Sequence, residues 1–383
     1  MSARKVKNKK TFSLEADGFY SDIAEEDMLY AVLIRSPAST GTVAKIEIPD
    51  MPEGYFLFTE KDIPGKNTID INGYGMALFN EGPISFQGEV LGILCGPDEH
   101  KVRELSRNAE VSLDIDSLES AVQAIEKKYK RPLIKVAENQ KGTDFSEFVD
   151  ELNELPSLDT VQSAKKLMKN QERKIIASRE IKTGLFKTDF DEANKKFFKT
   201  TASKSSKSAK KEIKHIFEGT WNLHQVDSLW QETSGAFCKM EKGVLHVYTA
   251  TKWSYLLLDI LCQSLGLKEE EIFIHKTKTS GMYSNGIYKN ARLAAQTSVA
   301  AYLTGKPVKL VFSQHSQDKY MKPGVNTSIS YKTLVSEEGR IKAMNILIDV
   351  DIGSLNPFAQ EIIDRTAIAC VGIYKPENLY ISA

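Results

Sequence analysis

Short runs of β-branched and aromatic residues, separated by glycine and proline, dominate the first hundred positions. AVLIRS (31–36), VAKIEI (43–48) and YFLF (55–58) read as strands, punctuated by Pro37, Gly41, Pro49 and Gly54. KDIPG (61–65) reads as a turn. EVLGILC (89–95) is almost unbroken apolar, the pattern of a strand buried on both faces. Pro97-Asp98 then opens a helix predicted to run to about Glu110, with Val102, Leu105 and Ala109 on one face. VSLDI returns as a strand, and Ser117 caps a further helix to about Lys128. Together these elements predict an α+β unit ending near residue 137.

The pattern then breaks. Over residues 138–215 charge rises and apolar content falls. Eight lysines between Lys195 and Lys214 alternate with Ser, Thr and Ala. Such composition predicts a solvated, mobile surface insert. From Trp221 the globular pattern resumes. VLHVYTA (244–250) alternates as a strand, and Ser254–Leu265 reads as an amphipathic helix stopped by Gly266. EIFIHKT (271–277) is a strand, followed by a turn of small residues. Ile287–Thr304 reads as a long helix ended by Gly305 and Pro307. PVKLVFS follows as a strand. Residues 327–335 and 340–352 form a predicted hairpin around Glu337-Glu338-Gly339.

Composition narrows the possible functions. The chain's 383 residues carry 51 basic and 51 acidic side chains, so no global charge draws it to nucleic acid or an anionic membrane. No apolar run approaches the ~18 residues of a spanning helix. The basic start MSARKVKNKK has no apolar stretch after it and reads as a solvated tail over 1–12, not a signal peptide. These features point to a cytoplasmic protein. Cys95, Cys238, Cys262 and Cys370 form no CxxC pair, which argues for reduced structural thiols and against an encoded zinc or iron–sulfur site. The six histidines show no HExxH or HxH. His246 and His275 alternate with apolar residues and read as strand histidines, not ligands. There is no GxSxG, no Walker A motif and no GxGxxG.

Ordered motifs give a sharper reading. AVLIRSP, KDIPG and EVLGILC running through a helix into VSLDI resemble the α/β "hammerhead" domain of the xanthine dehydrogenase/aldehyde oxidase family. VDSLWQETSGAFCKMEKGVLHVYTATKW, DILCQSLGLKEEEIFI, AYLTGKPVKLVFSQHSQ and GRIKAMNILIDVDIGS resemble, in order and spacing, the family's first molybdopterin-binding α/β domain. The resemblance spans about residues 13–383 apart from the lysine-rich stretch. It implies a tail at 1–12, a hammerhead-like domain at 13–137, the insert at 138–215 and part of a molybdopterin-binding domain at 216–383.

The resemblance also implies a cofactor position. Between the strand at 271–277 and the long helix the family carries a Gly-Gly-Gly-Phe-Gly-Gly-Lys turn. Glycine there lets backbone N–H groups approach an anionic cofactor closely. This chain has Ser280-Gly281-Met282-Tyr283-Ser284-Asn285-Gly286. Gly281 and Tyr283 keep the character of their positions. Ser280, Met282, Ser284 and Asn285 bring side chains where the family has glycine, and Gly286 stands in place of lysine. Ile287 falls where many members carry an acidic substrate contact, and Ser228 where they often have histidine. Lys252 replaces a glutamine that lies near the metal's oxo ligand. The implied cofactor-binding set is therefore Lys252, Gly281, Tyr283, Ser284, Asn285 and Gly286, for molybdopterin–molybdenum.

Members of the family pass electrons to iron–sulfur and FAD centres, here expected on partner subunits. Their catalytic glutamate base lies in a second half of the subunit that has no counterpart in this sequence. No catalytic or metal-ligating residue is assigned within the chain. Two readings follow. One is the N-terminal portion of a molybdenum hydroxylase large subunit, acting on purines, N-heterocycles or aldehydes once a C-terminal half completes it. The other is a degenerate, non-catalytic relative serving as an assembly or binding module.

Overall fold

A computed structural model describes residues 18–39, 41–71, 73–114, 175–198, 215–225, 232–279, 288–321, 324–353 and 356–383. The strands are β1 (Leu29–Arg35), β2 (Thr42–Glu47), β3 (Phe56–Thr59), β4 (Thr68–Ile71), β5 (Tyr74–Ala77), β6 (Val90–Gly96), β7 (Glu110–Asp114) and β8 (Glu180–Lys182). They continue as β9 (His215–Leu223), β10 (Gly235–Glu241), β11 (Val244–Tyr248), β12 (Ile272–His275), β13 (Val308–Val311), β14 (Asn326–Val335), β15 (Ile341–Asp351) and β16 (Asn378–Ser382). The α-helices are α1 (Glu99–Arg107), α2 (Phe190–Phe198), α3 (Ser254–Leu265), α4 (Lys289–Thr304), α5 (Gln314–Tyr320) and α6 (Ala359–Ala369). The chain divides into two compact units, each assembled from separate stretches of sequence.

In the first unit a seven-stranded mixed sheet runs β12-β11-β10-β13-β1-β6-β3. Every residue of β6 is buried, as its continuous apolar run requires. Asp98 caps α1 by accepting the Lys101 N–H at 2.8 Å, and Val102 and Leu105 pack on Ile34 and Leu94. α3 ends at Gly266, whose φ of 69° is the left-handed conformation glycine adopts freely. α4 is rich in buried small residues, including Ala291, Ala294, Ala295 and Ser298. They let the helix lie close on β10, where Ser298 Oγ reaches Cys238 Sγ at 3.2 Å. At Gly235 the chains approach so closely that a Cβ would stand 2.0 Å from the Leu310 carbonyl oxygen.

The N-terminal segment and the later segment share this one sheet: β1 pairs in parallel with β13 and antiparallel with β6. The N-terminal elements therefore do not close into an α+β unit of their own by residue 137. Their central strand finds its neighbour nearly three hundred positions away, and local periodicity carries no such information.

In the second unit a five-stranded sheet runs β8-β16-β15-β14-β9. Alternation along β15 sends Ala343 and Leu347 to one face, with Phe186, Ala193 and Phe197. Met344, Ile346 and Ile348 go to the other face, with Ala367 of α6. Arg179 donates two hydrogen bonds to Asp364, at 2.7 and 2.8 Å, tying the segment before β8 to α6. The expected insert over 138–215 is thus corrected across 175–198. Those residues form β8, a 3-10 turn and α2, and they bury Phe186 and Phe197. Four phenylalanines spread through a lysine-rich stretch suffice to fold it once a sheet face is available. The rest of that stretch, and the helix expected from Ser117, lie mostly outside the described residues.

All four cysteines are free. Burial pushes the Cys95 and Cys238 thiols up to about 12, with a hydrogen bond from Ser298 partly opposing the shift at Cys238. The thiolate is the reacting species. Cys95 and Cys238 are therefore expected to resist a thiol-reactive probe at neutral pH in the folded protein, while the half-buried Cys262 and Cys370 react first. Peptide analysis after timed alkylation checks this. Labelling of Cys238 at the rate of Cys370 in folded protein would contradict the structure.

Candidate functional site

β11 and β12 are adjacent parallel strands, with Tyr248 opposite His275. Their carboxyl ends therefore open side by side, the usual position for a ligand in an α/β arrangement. The chain leaves β11 through Thr249-Ala250-Thr251-Lys252 and leaves β12 through Lys276-Thr277. Thr249 Oγ1 donates to the Gly235 carbonyl at 2.7 Å, and Asn290 Nδ2 donates to the Ala250 carbonyl at 2.6 Å. The first turn of α4 is thereby pinned to the end of β11.

Three buried polar atoms at these strand ends and this helix start, Thr251 Oγ1, Thr277 Oγ1 and Asn290 Oδ1, have no hydrogen-bond partner among the described residues. Gln296 Oε1, deeper along α4, is a fourth. Buried polar groups are normally satisfied, so an orphaned cluster beside a helix N-terminus marks a place where a polar group belongs. Tyr288, at the N-cap position of α4, supplies no side-chain cap.

Electrostatics point the same way. Burial pushes Lys252 and Lys289 below the usual lysine range. It also pushes Arg35 down to about 10, an effect that Tyr320 opposes and nearby Arg292 reinforces. Arg35 donates to the Gly88 carbonyl at 2.8 Å and lies 3.8 Å over the Tyr320 ring. Arg292 and Gln296 both donate to the Leu78 carbonyl, at 3.2 and 2.6 Å. Cations held away from water are stabilised by an anion brought against them. The Thr251 and Thr277 hydroxyls and the Lys252 ammonium can donate to an anionic group, whereas Asn290 Oδ1 and Gln296 Oε1 are acceptors and call for a donor. Among them no three or more His, Cys, Asp or Glu side chains converge on a metal position.

Of the residues singled out from sequence, Lys252 lies at the end of β11, half-buried and in no ion pair among the described residues. Gly281, Tyr283, Ser284, Asn285 and Gly286 fall outside the described residues, as do Ile287 and Ser228. His246 and His275 hydrogen-bond each other, Nδ1 to Nε2, at 2.9 Å, and His275 stacks on Tyr248 at 3.9 Å. Sequence reasoning missed Thr251, Thr277, Asn290, Lys289 and Gln296. The available signal was the polar content of an alanine-rich helix, since Asn290, Gln296, Thr297 and Ser298 are all buried.

Residues 189–383 match the model of the molybdopterin cofactor-binding domain family. The chain belongs to the xanthine dehydrogenase/aldehyde oxidase molybdopterin-binding family. It is 21% identical over 363 residues to xanthine dehydrogenase/oxidase of Gallus gallus, covering 93% of this chain and 22% of that protein. It is 22% identical to the nicotinate dehydrogenase large molybdopterin subunit of Eubacterium barkeri, covering 44% of this chain and 39% of the relative. Among solved structures, the aldehyde oxidoreductase of Desulfovibrio desulfuricans superposes with a TM-score of 0.65 at 17% identity, over 94% of this chain and 35% of that one. Quinoline 2-oxidoreductase of Pseudomonas putida 86 gives a TM-score of 0.63 at 14% identity, over 95% and 41%. The chain has the family's α+β architecture and spans well under half the length of each of these relatives. Among the described residues no helix is long and apolar enough to cross a membrane.

Proposed function

We propose that this chain is the N-terminal portion of a molybdenum hydroxylase large subunit, acting on purines, N-heterocycles or aldehydes when a polypeptide carrying the remaining portion completes it. In the family's terms, residues 13–137 correspond to the hammerhead domain and 216–383 to part of the first molybdopterin-binding domain, with 175–198 adding to the latter. The supporting observation is the cluster of orphaned polar atoms at the ends of β11 and β12 and the start of α4, in a chain whose family binds molybdopterin.

Bound molybdopterin–molybdenum supplies hydroxylation of a carbon centre, with water as the oxygen source and electrons leaving through iron–sulfur and FAD centres on partner subunits. This chain's residues hold and orient. Thr251 and Thr277 offer hydroxyls at the strand ends. Asn290 keeps the helix start against β11. Lys252 offers a positive charge where the family uses a neutral amide, together with Gly281, Tyr283, Ser284, Asn285 and Gly286 from the turn. The general base comes from the completing polypeptide. The alternative, a non-catalytic assembly or binding module, is favoured by two features: the loss of glycine at Ser280, Met282, Ser284 and Asn285, and the charge of Lys252.

The chain expressed alone is expected to oxidise neither xanthine, hypoxanthine nor aldehydes with an artificial electron acceptor. Turnover by the isolated chain, from a host lacking its own molybdoenzymes, would refute the need for completion. Metal and pterin analysis of protein purified with its natural partners separates the two readings. Molybdenum and pterin in the complex support the hydroxylase, and their absence supports the binding module.

A further inference from the structure

Two histidines meet on the face of the seven-stranded sheet turned away from α4. Cys238 packs on α4, and its neighbours across the sheet are Val247 and Ile274. The row of Lys239, His246 and Phe273 therefore points to the other face, as does the row of Phe237, Tyr248 and His275. His246 and His275 are 29 positions apart, so no local motif announces them. Only the parallel register of β11 and β12 sets them diagonally across two strands.

The pair is held in place. Nδ1 of His246 and Nε2 of His275 stand 2.9 Å apart, and both side chains are half-buried. Tyr248 stacks on His275 with ring centres 3.9 Å apart and planes 7° from parallel, and the Phe273 ring centre lies 4.6 Å from that of His275. The local charge favours a cation. Lys239, opposite His246, is shared by Glu25 at 2.6 Å and Glu241 at 3.4 Å. Two carboxylates against one ammonium leave a net negative charge beside the imidazoles. Burial pushes His246 below the ordinary histidine range; Glu241 and Glu25 oppose the shift and Lys239 reinforces it. At neutral pH His246 is therefore mostly in the neutral form that binds metals.

We propose that His246 and His275 form a two-histidine site for a divalent transition-metal ion of the kind imidazole suits, such as zinc or copper. With metal–nitrogen bonds of about 2.0–2.1 Å, two neighbouring nitrogens of one coordination sphere stand about 2.9–3.4 Å apart. The pair already has that separation. The ion takes the place of the bridging proton once the rings tilt to turn both lone pairs onto it. That proton moves to the outer nitrogen of its own ring, so both imidazoles bind as neutral ligands. Water fills the remaining positions, since among the described residues no third His, Cys, Asp or Glu converges there. A site with two protein ligands suits an exchangeable ion, whereas a structural zinc is closed by four. Magnesium, which demands oxygen ligands, does not fit. This inference stands independently of the molybdenum reading.

Calorimetric titration of the metal-stripped full chain, its accessible thiols alkylated, is expected to show one equivalent of Zn(II) bound with micromolar affinity and no binding of Mg(II). His246→Asn and His275→Asn should each weaken Zn(II) binding tenfold or more. His224→Gln and His315→Gln, at exposed positions outside β11 and β12, should leave it unchanged. Circular dichroism confirms that each variant is folded. Should a variant of the pair fail to fold, the unsubstituted chain decides: Cu(II) with ascorbate oxidises the histidines that hold it, and peptide mass analysis should find the added oxygen at 246 and 275. No Zn(II) binding at ~1 mM overturns the proposal. So does binding indifferent to both variants of the pair, binding lost with His224→Gln or His315→Gln, or oxidation confined to other histidines.

Discussion

The combined substitution Met282→Gly, Ser284→Gly, Asn285→Gly and Gly286→Lys is expected to raise molybdopterin affinity by several powers of ten, in protein purified with its completing partner. Backbone N–H groups at a glycine-rich turn hold an anionic cofactor only if nothing stands between them and it. Three of the four positions carry a side chain here where the family has glycine, and the family's lysine is replaced by Gly286. Each hydrogen bond to a charged ligand contributes about 1.5–3 kcal/mol, and about 1.4 kcal/mol is a tenfold change in affinity. Recovering two or three such bonds therefore spans several decades. Lys252 supplies a charge in the unmodified chain but not the directionality of a backbone nest. Released pterin fluorescence and molybdenum content per chain measure the effect. Stoichiometric molybdopterin in the unmodified complex would show that the altered turn binds as the family's does.

Phe186→Ala is expected to destabilise the second unit by about 3–5 kcal/mol, the usual cost of removing a fully buried aromatic side chain. Phe186 is 1% exposed and stands 5.6 to 6.1 Å, ring centre to ring centre, from Phe190, Phe197 and Tyr380. Its loss opens a cavity on the face of the five-stranded sheet where Leu334 and Ala343 also pack. Scanning calorimetry should show the transition assigned to that unit move down while the other stays in place. A thermogram indistinguishable from the parent's would restore the expectation of an unpacked insert at 175–198.

Local chemistry made much of this fold legible. The all-apolar run of β6, the Asp98 cap of α1 and the Gly266 and Gly305 stops of α3 and α4 are decided by residues a few positions apart. Sequence reading located them closely for that reason. The helix expected from Pro97 to Glu110 ends at Arg107, because Asn108 and Ala109 lead directly into β7. The hairpin of β14 and β15 is likewise local, turning at Gly339 with a φ of 79°. β4, β5, β8, β9, β10, β16, α2, α5 and α6 were not read. Most are short, and glycine, charge or polar residues interrupt their apolar positions, so neither a period of two nor one of 3.6 stands out. They become elements only when a sheet presents a face or an edge to them.

For the site, the sequence by itself determined the family resemblance, the position of the turn at 280–286 and the anomaly of Lys252. Each is a matter of residue identity and order, which the chain states directly. Only the tertiary structure decided that β1 lies between β6 and β13, that Phe186 is core, and that Thr251, Thr277 and Asn290 bring unsatisfied polar atoms to the ends of β11 and β12 and the start of α4. Threonine and asparagine are common at strand ends and helix starts whether or not they bind anything. What marks these three is burial with no partner among the described residues, at neighbouring strand ends and a helix start brought together from residues 251, 277 and 290, which no one of those segments expresses alone.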